Sequence, residues 1–348
     1  MRPRIGITMG DPAGIGPEIT AKAFGNGDWM TRCRAVVIGD AGVLRQACGF
    51  AGVNLRVNAV ETPEQAVCEP GVMDVIDLAN VDLATLELGR VSMQAGEAAF
   101  AAVKVAIDLA QAGALDAVVT GPIHKKALNL AGHHFAGHTE IFAHYTDTRD
   151  YAMMLAEGNL RVVHVSTHVS LREACDRVKK SRVLSVIQLA HDACRRLGIA
   201  RPRIGVAGLN PHASDDGLFG DEETREIIPA IEAARAQGLE VSGPVPPDTF
   251  FCRAVGGAYD IAVAMYHDQG HIPVKLQGFQ YDDRQQTWQS VSGVNITLGL
   301  PVLRVSVDHG TAFDQAGKGT ASEASLLNAL DYAVRLASSP SGGRCMPC

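Results

Sequence analysis

The sequence has no excess of positive charge. With 31 Lys and Arg against 38 Asp and Glu, the net charge of −7 provides no basic field for nucleic acid or an anionic membrane, so an anionic substrate would need locally placed cations. No apolar run approaches the roughly 20 residues that span a bilayer, and the amino terminus lacks a charged-then-apolar signal pattern; both predict a soluble, cytoplasmic protein. The eight cysteines lack the spacing of a disulfide framework, which predicts reduced thiols. Cys345 and Cys348 form a C-x-x-C, but without the second pair or the strand–helix context that metal or redox use requires. Also missing are the Gly-x-Gly-x-x-Gly of a dinucleotide fold, the Gly-Lys-Ser/Thr of a P-loop and any repeat of solenoid period.

What is present suits a large α/β chain. Its 348 residues are 47% hydrophobic, ample for a buried core, and the 36 glycines gather at the ends of apolar runs, where tight turns are needed. Strand-like runs such as Arg4–Met9, Ala35–Asp40, Leu115–Ile123, Leu160–Ser166, Arg203–Leu209, Tyr259–Tyr266 and Val302–Val307 alternate with helical stretches. Phe100, Val103, Ile107 and Ala110, for example, recur at helical spacing up to Gly113. This alternation predicts a largely parallel sheet with helices on both faces and ligands collecting beyond the carboxyl ends of the strands. Gly278–Val291, polar and carrying Asp282, Asp283, Arg284 and Trp288, reads as an exposed insertion or hairpin, and residues 339–348 as a disordered tail.

Four strand-like runs lead into histidines: His168, His212, His267 and His309. The first three could hold a divalent metal through imidazole nitrogen, with Asp248 or Asp268 adding a carboxylate or fixing a histidine tautomer. A single histidine at a strand end is more often a hydrogen-bonded rim residue, and it is the recurrence at equivalent ends that favours a metal. The glycine-rich turn Gly10–Pro17 could approach a phosphate or be a plain tight turn. His124, Lys125 and Lys126 could bind an anion or open a solvated helix, and Thr139 could cap a helix or hold an anion.

Gly10-Asp-Pro-Ala-Gly-Ile-Gly-Pro-Glu18, Thr120-Gly-Pro-Ile with Lys125-Lys126, Gly137-His-Thr-Glu140, Asn210-Pro-His-Ala213, Tyr266-His-Asp-Gln-Gly270 and Gly293-Val-Asn-Ile-Thr-Leu with Ser306-Val-Asp-His-Gly-Thr311 closely resemble the 4-hydroxythreonine-4-phosphate dehydrogenase family of pyridoxal phosphate biosynthesis. The resemblance runs from about Arg4 to Leu336. It implies a fold like that of isocitrate and isopropylmalate dehydrogenases, with two α/β/α domains around a cleft. The first would comprise residues 1–137 with 292–338, and the second residues 138–291 with the dimer interface. It also implies a homodimer with shared active sites, a metal (Zn, Mg, Co or Mn) on His168, His212 and His267, and a phosphorylated substrate on His138, Thr139, Lys275, Asn295 and Arg304.

The implied reaction is metal-dependent oxidation of 4-phosphohydroxy-L-threonine by NAD or NADP, with decarboxylation to 3-amino-2-oxopropyl phosphate. His267, Asp248 and Asp268 are the expected catalytic residues, and the Asp308, His309, Gly310, Thr311 loop is the candidate cofactor contact. His271-Ile-Pro-Val-Lys275 and the extra length at 280–291 depart from the vitamin-pathway pattern. They resemble a branch that oxidises 4-phospho-D-threonate or 4-phospho-D-erythronate to dihydroxyacetone phosphate. A terephthalate-type dihydrodiol dehydrogenase fits less well, because the elements serving a phosphate ester are intact. A metal-binding sensor and a metal-dependent hydrolase are the competing classes. Gly270 and Pro273 argue against a helical i,i+4 metal pair of His267 and His271, which places His271 as a branch marker beside Lys275 that could touch the substrate.

Overall fold

The computed structural model describes residues 2–283 and 287–338. The 339–348 tail, with Cys345 and Cys348, and Arg284 of the polar hairpin lie outside them.

In chain order the elements are β1 (Arg4–Thr8), α1 (Gly16–Gly25), β2 (Arg34–Gly39), α2 (Ala41–Ala51), β3 (Arg56–Val60), β4 (Val72–Asp77), α3 (Met93–Gln111), β5 (Ala117–Thr120), α4 (Lys125–Leu130) and α5 (His138–Tyr145). There follow β6 (Ala152–Glu157), β7 (Leu160–His164), α6 (Leu171–Arg177), α7 (Lys180–Arg196), β8 (Ile204–Ala207), α8 (Ile228–Ala236), β9 (Val241–Val245), α9 (Pro247–Val255), β10 (Ile261–Ala264) and α10 (His267–Gly278). The antiparallel ribbon β11 (Phe279–Asp282) and β12 (Thr287–Val291) precedes β13 (Val294–Leu298), β14 (Arg304–Val307) and α11 (Ala324–Ser338).

Two compact units emerge. The first holds residues 1–148 and 300–338, the second 149–299. These divisions fall later than the 137/138 and 291/292 expected from sequence, for reasons that lie in the packing. Ile141 and Phe142 of α5 are wholly buried in the core of the first unit with Phe100 and Ile107, while β13 pairs with β6 in the second.

In the first unit the strand order is β3-β4-β2-β1-β5-β14, and every pair is parallel. Strands this short succeed because both faces are covered: Ile5, Ile7, Val37, Ile38, Val118 and Val119 are all inaccessible. Each such side chain contributes about 1.5–3 kcal/mol through burial. The helices are started by side-chain caps. Asp40 accepts from the Val43 N–H at 3.0 Å and Ser92 from that of Ala95 at 3.1 Å, satisfying donors that the first turn leaves open.

In the second unit the order is β13-β6-β7-β10-β8-β9, parallel from β7 to β9 but antiparallel at β13–β6 and β6–β7. The parallel architecture expected from the alternating pattern therefore holds, with one reversed strand, β6, between β13 and β7. In both units the chain leaves the parallel strands at one edge, which places the following loops together.

Candidate functional site

In the first unit, the loops after β5 and β14 and the start of α5 surround a pocket lined by Thr120, Lys125, Gly137, His138, Ser306 and His309, among others. His138 is the first residue of α5, where backbone N–H groups lack helical partners and the dipole favours an anion. Its Nε2 is buried without a hydrogen-bond partner among the described residues. Burial, and secondarily the Arg304 charge, hold this imidazole well below its usual pKa, so it is neutral at pH 7. Thr139 beside it is buried too.

Arg304 opens β14 and is only 3% exposed; its Nη2 donates to Thr120 Oγ1 at 2.9 Å. Burial lowers its pKa to about 9 against the opposing effect of Glu140, so the guanidinium stays charged at neutral pH. A buried cation is costly unless something anionic meets it, and the start of α5 is an anion-favouring place. Thr120 and Glu140 were not singled out as functional from sequence, although both stand inside motifs quoted above.

The candidate cofactor loop is tied down from two sides. The Asp308 N–H donates to Ser325 Oγ at 3.2 Å, and the Thr311 carbonyl accepts from the Ile15 N–H at 3.0 Å. His309 Nδ1 bonds the Gly310 carbonyl at 3.0 Å, and a Cβ on Gly310 would meet nothing within 4 Å, so backbone there can be approached closely. The Gly10–Gly16 turn packs beneath this loop: a Cβ on Gly14 would lie 2.9 Å from the Thr311 carbonyl. Its glycines serve close packing, and its residues are buried. The turn also holds Asp11, missed from sequence. Oδ1 accepts from the Ala13 N–H at 2.9 Å, Oδ2 is buried without a hydrogen-bond partner among the described residues, and burial raises the carboxyl to about 6.

In the second unit, none of the expected strand-end histidines lies in a strand. β7 ends at His164, β8 at Ala207 and β10 at Ala264, so His168 and His212 occupy the following loops and His267 begins α10. The rings of His168 and His267 lie 5.5 Å apart, close enough to approach one ion. The Asp268 carboxylate accepts from His267 Nδ1–H at 2.6 Å, which leaves Nε2 as the nitrogen able to take a metal. His212 instead sits exposed at φ 53°, edge-on to Phe219 at 6.1 Å. Among the described residues no group of three His, Cys, Asp or Glu is assembled around one point. Asp248, in the exposed first turn of α9, belongs to a helix that packs on the His212 turn. Lys275 Nζ lies 4.0 Å from the centre of the Phe279 ring, and Asn295 sits in β13 opposite Leu155.

One expectation is overturned. Gly270 and Pro273 do not prevent a helix: α10 runs from His267 to Gly278 through Pro273, and His271 stacks on His267 with ring centroids 3.6 Å apart. Gln269 fastens the helix start, its Oε1 accepting from the Met265 N–H at 2.7 Å and its Nε2 donating to the Gly208 carbonyl at 2.8 Å. This local bond at the helix start and the tertiary bond to Gly208 offset the one backbone donor that proline removes. Beneath the pair lies His164, buried within β7 and also missed from sequence. A histidine inside an otherwise apolar strand run was its only signal.

Residues 31–333 match the family described as "Pyridoxal phosphate biosynthetic protein PdxA". D-threonate 4-phosphate dehydrogenase of Cupriavidus necator is 48% identical over 336 residues, covering 96% of this chain and 97% of that one. 4-Hydroxythreonine-4-phosphate dehydrogenase of Beijerinckia indica is 49% identical over 337 residues, covering 95% and 94%. The crystal structure of 4-hydroxythreonine-4-phosphate dehydrogenase from Klebsiella pneumoniae superposes with a TM-score of 0.84 at 45% identity, covering 97% of this chain and 100% of that one. Near-half identity over almost the whole length, the matching architecture and the family match across both units agree: the chain belongs to the pyridoxal phosphate biosynthetic protein PdxA family.

Proposed function

We propose that the chain is a cytoplasmic, metal- and nicotinamide-dependent dehydrogenase that oxidises the secondary alcohol of a small hydroxy acid bearing a phosphate ester, and that its substrate is D-threonate 4-phosphate. The observation that carries the reading is the buried cationic corner of Arg304 beside the start of α5, where the His138 ring nitrogen has no internal partner.

In the first unit Arg304 meets the phosphate as a fork and Thr139 orients the ester; in the second, Lys275, a point charge, and Asn295 are the residues read as substrate-binding. His138, neutral and buried, adds a hydrogen bond without a charge. His168 and His267 fit a divalent ion: two adjacent imidazoles, one with its tautomer fixed by Asp268. His212 is the third ligand in this reading. Such an ion, when bound, supplies Lewis acidity at the alcohol oxygen and at the enolate left by decarboxylation. Asp308, His309, Gly310 and Thr311 would hold NAD or NADP, which when bound would take the hydride from carbon 3 as the hydroxyl proton is released. The resulting 3-keto acid then loses carbon dioxide to give dihydroxyacetone phosphate. Asp268 keeps the His267 ring oriented throughout, and Asp248 is the carboxylate read as serving the His212 side, on a helix that packs against that turn.

The chain acts as a homodimer in this reading. Ile272 and Leu276, on the solvent side of the helix that carries His267, are 56% and 78% exposed and form an apolar strip suited to a second copy.

4-Phosphohydroxy-L-threonine is the second reading, supported by the identity to the Beijerinckia indica enzyme. His271 and the β11–β12 ribbon, the two departures from the vitamin-pathway pattern, favour D-threonate 4-phosphate. Turnover with both acids, each with NAD and NADP and added Mn²⁺, Co²⁺ or Zn²⁺, tests the assignment. Reduced nicotinamide should form at least tenfold faster with D-threonate 4-phosphate. The opposite preference selects the second reading, and no reduction with either acid removes both.

A further inference from the structure

His164, His271 and His267 form a run of imidazoles in the second unit, and the first two have no role in the reaction as described. The direction of each hydrogen bond follows from atoms that can only accept. His164 Nδ1 lies 3.1 Å from the Met153 carbonyl oxygen, so this nitrogen carries the hydrogen. His271 Nδ1 lies 3.0 Å from the His267 carbonyl oxygen and carries one too. That same Nδ1 is 3.1 Å from His164 Nε2, and two N–H groups cannot face each other, so His164 Nε2 is a bare acceptor. The geometry thus fixes one tautomer for each ring and makes His164 neutral. Burial acts the same way, holding His164 down to about 4 and His271 to about 2.

The stack sets what His271 can do. Its ring is 12° from parallel to that of His267 at 3.6 Å. Imidazole lone pairs lie in the ring plane, so two parallel, overlapping rings cannot direct nitrogens at one ion. His271 is therefore not a further ligand beside His267. It is a wall against which the His267 ring rests. The wall is braced from behind by His164, which is 1% exposed and wedged where a Cβ on residue 270 would collide with its Nε2. Glycine at 270 is what lets α10 approach β7 closely enough for the brace to form.

We propose that His164 and His271 are positioning residues for His267: a strut running from the Met153 carbonyl through His164 to His271 fixes the plane of the His267 imidazole, as Asp268 fixes its tautomer. This rests on the assignment of His267 as a metal ligand under the proposed function. Partners at this remove from a metal typically change its affinity by about 10- to 100-fold. His271 touches neither the metal nor, by this argument, the reacting atoms.

The test uses the full-length protein stripped of metal and titrated with Co²⁺ alone, read by calorimetry and by the visible absorption of the bound ion. Wild type is compared with H267A, H164F and H271F. H271F keeps an aromatic ring on His267 but cannot bond His164 or the main chain. Both phenylalanine variants should bind Co²⁺ about tenfold or more weakly, with a shifted absorption band, whereas H267A should show almost no binding. Wild-type affinity and spectrum in H164F and H271F would overturn the strut while leaving the metal assignment standing. Absence of Co²⁺ binding by the wild type would remove both. Thermal unfolding separates the strut from bulk destabilisation, which lowers the melting temperature and leaves the band where it was. Should H164F fail to fold, H271F decides, since it removes the strut at its half-buried end.

Discussion

Replacing Arg304 by methionine separates the two things a buried guanidinium can do. The side chain is 3% exposed, bonds Thr120 Oγ1 at 2.9 Å, and has a pKa lowered to about 9 by burial. That lowering means the fold bears an unfavourable charge, which a thioether of similar length relieves; exchanging buried charges for apolar groups is often neutral or stabilising. The melting temperature of R304M should therefore stay within a few degrees of wild type. Binding should respond in the opposite sense. A hydrogen bond to a charged group contributes about 1.5–3 kcal/mol, so losing the contact to the phosphate should raise KM about 10- to 150-fold. R304K restores a charge but not the fork, and should recover only part of the loss.

The assay is initial-rate kinetics with D-threonate 4-phosphate and, in parallel, unphosphorylated D-threonate at high concentration. The penalty should appear with the first substrate and vanish with the second, where no phosphate meets the site. A KM for R304M within threefold of wild type refutes the assignment, as does an equal loss with both substrates, which would signal a structural role.

Three further outcomes follow from particular contacts. The Asp11 carboxyl is raised from 3.8 to about 6, so its contribution to stability is full below about pH 4 and is lost as pH rises through 6, leaving an ionised, buried group that costs about 3 kcal/mol at pH 8. D11N, which keeps the acceptor for the Ala13 N–H, should be the more stable protein at pH 8 and should flatten the dependence between pH 4 and 6; denaturant titrations giving parallel pH curves for the two proteins contradict this. Gly270→Ala drives a methyl into His164 and to 2.7 Å from Val162 Cγ1, an overpacking of about 1–3 kcal/mol that should lower the melting temperature by several degrees; an unchanged melt would show that α10 can move away freely. Leu276→Asp, at a position 78% exposed in the single chain, should convert a dimer to a folded monomer by light scattering, and a dimer that survives places the contact elsewhere.

The parallel α/β architecture was legible because short apolar runs with both faces covered leave a plain pattern, and β1, β5, β10 and β14 fall where those runs stand. The edge that gathers His138 and the Asp308–Thr311 loop in the first unit follows from the same alternation, since parallel strands release their loops on one side; Arg304, at the start of β14, reaches Thr120 through its side chain instead. The reversed direction of β6 was not legible, because a buried strand reads the same either way.

Side-chain geometry at the histidines was the other gap, and its cause is instructive. Gly270 and Pro273 weaken a helix in isolation, yet α10 forms because Gln269 is anchored locally by the Met265 N–H and across 61 residues by the Gly208 carbonyl, and because glycine is needed where the helix meets His164. Read locally, Gly270 is a breaker; read against β7, it is the clearance for an imidazole 106 positions earlier. The same residue that argued against pairing His267 with His271 is what permits it. Local propensity and function therefore disagree at this point of the chain, which is where a site that must hold a ring in one plane is expected to depart from local rules.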